Sequence, residues 1–152
     1  MIFKSYILEQ NIQSISKCNL FLFYGENNGL KKDFKKKLRQ ENKNSEVLNF
    51  LQEEIVKNSN ILINEITNRS LFDKKKIIFI DHAGDKIVEI LEELNENIED
   101  EKIFLFSDAL DKRSKLRNFF EKSKIYGISP CYQDNEITIR KIITSKLLGY
   151  RN

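Results

Sequence analysis

The chain has 152 residues, a formal net charge of +3, 40% hydrophobic and 32% charged residues, one proline and eleven phenylalanines. That balance excludes a disordered or collagen-like chain, and the length suits one ordinary domain that buries about 70% of its unfolded surface. The mild charge falls short of a concentrated basic footprint. Cys18 and Cys131 lie far apart outside any CxxC pattern, and the residues from Met1 to Tyr6 hold no long apolar signal segment. No apolar run approaches the ~18 residues of a membrane span. The expectation is a reduced, cytoplasmic protein with no membrane role.

In chain order, residues 2–16 form a mixed prelude with Ile7, Leu8, Ile12 and Ile15 at roughly helical spacing. Asn19 to Gly25 (NLFLFYG) reads as a strand stopping on a glycine, and Leu30 to Glu41 as a helix with Leu30, Phe34 and Leu38 on one face and lysines around the rest. Glu46 to Phe50 is a short strand. Gln52 to Thr67 carries Ile55, Leu62 and Ile66 in a helical stripe that breaks near Asn58 to Asn60. Ile77 to Ile80 is a continuous apolar run ending on Asp81, as in a strand buried on both faces of a parallel sheet. Asp85 is the predicted N-cap of a helix carrying Ile87, Ile90, Leu91, Leu94 and Ile98. Lys102 to Ser107 is another buried strand, Asp111 is the predicted cap of a helix carrying Leu116, Phe119 and Phe120, and Lys124 to Ile128 is the last strand.

Strands alternating with helices, through connections too long for hairpins, predict an α/β three-layer sandwich with a five-stranded parallel sheet. Residues 1–131 make up this domain. Asp134 to Leu148 holds more apolar positions than one face against a sheet requires. The segment 132–152 is therefore read as the start of an incomplete helical, lid-like domain.

A glycine turn between the first strand and first helix is where backbone N–H groups cradle phosphates. The pattern G-x-x-x-x-G-K-[ST] places Gly25 and Lys31 correctly, but Leu30 stands at the second glycine and Lys32 at the magnesium-binding hydroxyl. A Cβ obstructs the turn and an ammonium cannot ligate Mg²⁺, so this loop is read as degenerate, with no nucleotide and no cofactor bound. Asp81 reads as a strand terminator or as the holder of a magnesium-bound water. The lone histidine, His82, has no Cys or His at ligand spacing, so neither a metal site nor a catalytic triad is expected.

Lysine runs at 35–37 and 74–76, together with Lys112, Arg113, Lys115 and Arg117, are either candidate phosphate contacts on DNA or a solvated face. Ser70-Leu71-Phe72 sets two large apolar side chains between polar residues, at the end of the helical pattern. Read alone, the pair is the apolar end of that helix packed inward.

Taken together, SLFDKKKIIFID, KIFLFSDALDKRSKLRNFFEKS, KIYGISPCYQDNEITIRKIITSKL and the opening LFLFYGENNGL resemble the delta subunit of the bacterial DNA polymerase III clamp loader. The resemblance implies an ATPase-type (P-loop/AAA+) clamp-loader fold with an unusable nucleotide site. It also implies a role in DNA replication without catalysis, as part of a DNA-directed DNA polymerase holoenzyme. Leu71 and Phe72, beside Ser70, then become an apolar plug entering a hydrophobic pocket of the ring-shaped sliding clamp, with Phe72 the deeper anchor. Members of the family run to about twice this length, through a helical middle domain into a collar domain. Joining the other loader subunits is expected only where that region is present. The rival readings are a nucleic-acid-binding module using the lysine-rich helix and a small atypical P-loop NTPase.

Overall fold

A computed structural model describes residues 1–68, 75–95 and 97–133. The predicted segment 132–152 therefore lies, from residue 134 onward, outside the described residues. Its elements in order are α1 (Ser5–Gln10), a 3-10 turn (Ile12–Ile15), β1 (Leu20–Tyr24), α2 (Asn28–Glu41), β2 (Glu46–Leu51), α3 (Gln52–Lys57) and α4 (Asn60–Thr67). Then come β3 (Lys76–Asp81), a second 3-10 turn (Asp85–Ile87), α5 (Val88–Leu94), β4 (Lys102–Ser107), α6 (Lys115–Lys122) and β5 (Gly127–Pro130).

The five strands form one all-parallel sheet in the order β2-β3-β4-β1-β5, with Leu22 beside Leu105 and Ile128, and Ile78 beside Leu48 and Ile103. The chain after β1 crosses to the far edge at β2, whereas the chain after β4 passes over β1 to β5. The carboxyl ends of β1 and β4 thus flank the point where the crossovers diverge, the usual location of a crevice in such sheets.

Side-chain alternation sorts the sheet into two chemically different faces. Leu20, Leu22, Ile78, Ile80, Ile103, Leu105 and Ile128 pack against Ile55, Leu62, Ile66, Ile87, Leu91, Leu94, Leu116 and Phe120 from α3, α4, α5, α6 and the turn before α5. Phe21, Phe23, Phe79, Phe104 and Phe106 face the opposite way, against Leu8, Ile12, Ile15, Phe34 and Leu38. Their rings touch in a chain, with centroids 4.6 Å apart for Phe21 and Phe23, 5.2 Å for Phe23 and Phe106, and 5.9 Å for Phe79 and Phe106. Such separations are favourable beyond the burial itself, which contributes about 1.5–3 kcal/mol per side chain.

Three local expectations are corrected. Asp85 does not cap the helix that follows it: the 3-10 turn begins there without a side-chain cap, and the carboxylate instead accepts from Leu116 N–H at 3.0 Å and Ser114 hydroxyl at 2.7 Å, at the start of α6. Asp111 is not the cap of α6 either, since Ser114 fills that position and Asp111 accepts from Arg113 N–H at 2.8 Å in a local turn. The last strand starts at Gly127 rather than Lys124, because the Ser123 hydroxyl accepts from both Ile125 and Tyr126 N–H and holds that stretch in a turn. Gly127 is required there: a Cβ would lie 2.3 Å from the ring of Phe21.

Candidate functional site

The turn after β1 is built around Gly25, whose φ of +131° suits glycine alone. A Cβ there would come within 2.2 Å of the Cys131 carbonyl oxygen, so the backbone beyond β5 fills the concave side of the turn. The contact extends along the chain. Cys131 N–H donates to Tyr24 O at 2.5 Å, Asn27 N–H to Cys131 O at 3.0 Å, the Asn27 amide to Tyr132 O at 3.2 Å, and Gln133 N–H to the Glu26 carboxylate at 3.1 Å. That last bond holds the Glu26 carboxyl below its usual range. Two further amides are used: Gly25 N–H is shared between Ser107 O and Asp108 O, and Leu30 N–H caps onto the Asn27 side chain at 3.0 Å.

Two cations beside this turn, Lys31 and Lys35, are engaged as well. Lys31 is only 8% exposed, and its Nζ donates to Ser107 O at 2.8 Å, with Asp108 a further 3.8 Å ion partner. Asp81, at the end of β3, is paired at 2.8 Å with Lys35, whose ammonium also lies over the rings of Phe79 and Phe106. Lys32 is exposed and lines a cleft of about 390 Å³ together with Asn28, Lys35, Asp81 and Asp108. Leu30 is half-buried against the phenylalanine cluster. Farther along α2, Lys37 donates to Glu9 O at 3.0 Å and Arg39 to the Asn49 side chain at 3.2 Å.

His82 is exposed with a φ of 55°, and it borders both that cleft and a second one of about 1090 Å³ at the carboxyl ends of β2 and β3. Among the described residues no group of His, Cys, Asp and Glu is arranged to hold a metal, and no helix is long and apolar enough to cross a membrane. Cys18 and Cys131 are both free and buried, and burial pushes the Cys131 thiol up to about 12.

Lys112, Arg113 and Lys115 are exposed together around the amino end of α6, and Arg113 lines the larger cleft. Ser70, Leu71 and Phe72 lie outside the described residues. The residues on either side of them are well defined. α4 ends at Thr67, β3 begins at Lys76, and the Lys76 ammonium bonds the carbonyl groups of Glu65 and Asn68 at 2.7 Å each. Lys76, in the 74–76 run read as phosphate contacts or a solvated face, is buried. The strap of residues 131–133 over the Gly25 turn was also missed, and no sequence motif marks it.

Comparison with known proteins gives three findings. No curated protein matches the chain. Among solved structures, the DNA clamp loader delta protein (YqeN) of Bacillus subtilis superposes with a TM-score of 0.62 at 16% identity, over 86% of this chain and 43% of that one, a likeness of fold. The chain thus spans less than half the length of that protein. The family model for DNA polymerase III, delta subunit, matches residues 21–126, well over half of the sequence. On that match, running from the first strand to the threshold of the last, the chain belongs to the DNA polymerase III delta subunit family.

Proposed function

We propose that this chain is the clamp-gripping domain of a replication clamp loader: a non-catalytic module that binds the ring-shaped sliding clamp through Leu71 and Phe72, beside Ser70, and helps to open the ring. The observation that carries this reading is the family match, which runs through both flanks of the Leu-Phe segment. Burying one Leu and one Phe side chain contributes about 3–6 kcal/mol before association costs, enough for a hot spot that flanking contacts must complete.

The filled turn at Gly25 supports the non-catalytic part. A phosphate needs convergent N–H donors and a lysine free to reach it. Here the N–H groups of Gly25 and Asn27 and the Lys31 ammonium already have main-chain acceptors, Leu30 N–H has the Asn27 side chain, and Asp81 already has Lys35. The strand order, with β1 between β4 and β5, fits an ATPase-type clamp-loader sheet whose nucleotide site has degenerated. On α2, Lys31, Lys35, Lys37 and Arg39 are engaged, which leaves Lys32 and Lys36 as its exposed lysines. A subsidiary DNA contact is better placed at Lys112, Arg113 and Lys115, where three exposed cations gather at the positive end of the α6 dipole. Salt-dependent DNA affinity that is lost in the triple alanine variant is the expected signature. Assembly with other loader subunits is proposed only for a delta protein that carries the collar domain.

The test is a titration of the sliding clamp from the same organism with the parent chain and with Leu71→Ala/Phe72→Ala, circular dichroism confirming that both are folded. The parent binds and the variant does not. Equal binding by the two overturns the plug.

A further inference from the structure

The first residue of β3 is a lysine that the sheet buries. Lys76 is 7% exposed, and its Nζ donates to Glu65 O at 2.7 Å, Asn68 O at 2.7 Å and the Glu65 carboxylate at 3.2 Å. An ammonium has three N–H donors, so this one is fully used. Two of its acceptors are carbonyl groups at the carboxyl end of α4, which a helix leaves without partners of its own. The cation also sits at the negative end of that helix dipole.

These bonds join two places that the sequence separates by the six residues 69–74. Asn68, the last residue before them, is fixed to α4 by its N–H bond to Asn64 O at 2.8 Å and to β3 by the Lys76 ammonium. Lys75, the first residue after them, is fixed to the sheet edge because its carbonyl accepts from Glu46 N–H at 2.8 Å. One side chain therefore fastens the helix that delivers the segment to the strand that receives it.

We infer that Lys76 is a positioning residue for clamp binding: by tying the end of α4 to the start of β3, it anchors both ends of the segment that carries Leu71 and Phe72. This inference rests on the plug reading of those two residues. Fixing the two residues that bound a segment narrows the conformations open to it, and so lowers the entropic cost of seating its side chains on a partner. An apolar side chain of the same length would fill the space but leave the α4 carbonyl groups without donors.

Calorimetric titration of the clamp with the full chain tests this, using the parent, Lys76→Met, Lys76→Arg, Phe72→Ala and the Phe72→Ala/Lys76→Met double variant, each shown to be folded. Lys76→Met keeps the length of the stem and is expected to weaken binding by roughly tenfold, mainly through a less favourable entropy. Lys76→Arg recovers most of that loss, since a guanidinium also offers several donors. In the Phe72→Ala background the same lysine change costs less than about threefold, because the side chain it serves is already gone.

A merely structural lysine lowers thermal stability but leaves the affinity of the folded protein unchanged, or lowers it equally in both backgrounds; either result overturns the inference. Should Lys76→Met fail to fold, Glu65→Ala removes the carboxylate acceptor alone and is expected to weaken binding by about twofold to threefold, with unchanged affinity again overturning it. Parent-like binding by Phe72→Ala contradicts the plug itself. A normal Phe72→Ala loss beside an unaffected Lys76→Met removes only the positioning role.

Discussion

Lys31 and Lys76 are both buried lysines bonded to main-chain carbonyl groups, yet they stand at opposite ends of the parallel sheet. Lys31 follows the carboxyl end of β1, where its bond to Ser107 O occupies the cation that a phosphate would need. Lys76 opens β3 at the other end and secures the approach to the Leu-Phe segment. The difference teaches that a lysine in a phosphate-loop position is not thereby a phosphate ligand. What decides is whether carbonyl groups of the fold have already claimed it, because a phosphate must then compensate the bonds that the buried ammonium leaves.

The Gly25 turn is the sharpest place to break this comparison. Gly25→Ala forces a Cβ into a left-handed backbone position and against the Cys131 carbonyl, and is expected to destabilise the fold by about 3 kcal/mol in urea unfolding. A loss below about 0.5 kcal/mol would mean that the 131–133 strap does not fill the turn. Lys31→Met comes next. It should cost about 1–2 kcal/mol, because the Ser107 carbonyl loses its buried ammonium donor and keeps the longer bond from Gly25 N–H, and bring no gain or loss of MgATP affinity.

A smaller effect comes from Asp85, which lies away from both lysines. Hydrogen bonds from Leu116 N–H and the Ser114 hydroxyl hold its carboxyl below the usual range. A carboxyl depressed in the folded state contributes stability above its unfolded pKa, near 4, and loses it as the pH falls through the lower folded value. Asp85→Asn should therefore destabilise by about 1 kcal/mol at neutral pH, and the gap between parent and variant should narrow as the pH drops below ~4 in acid unfolding curves. A gap that is constant with pH contradicts the cap.

Most of the sheet was legible because parallel strands buried on both faces are written as unbroken apolar runs: LFLFY, KIIFID and KIFLFS announce themselves. The break between α3 and α4 near Asn58 was equally visible. What was not legible is tertiary. Asp85 caps a helix about thirty residues further on, which no local rule anticipates. Lys76 looks like the third member of a solvated lysine run until the register of β3 beside Glu46 places it under the end of α4. The candidate phosphate loop was judged from its letters at Leu30 and Lys32. The stronger physical reason, the backbone of Cys131 to Gln133 seated on it, is nowhere in the pattern.

The most direct measurement is a two-step calorimetric titration of the full chain, first with MgATP and then, in the same sample, with the sliding clamp from the same organism. The account predicts no heat of binding in the first step and a saturable one in the second, absent for Leu71→Ala/Phe72→Ala. Saturable binding of MgATP with silence toward the clamp would contradict it, and would return the Gly25 turn to the nucleotide-binding role that its own backbone contacts argue against.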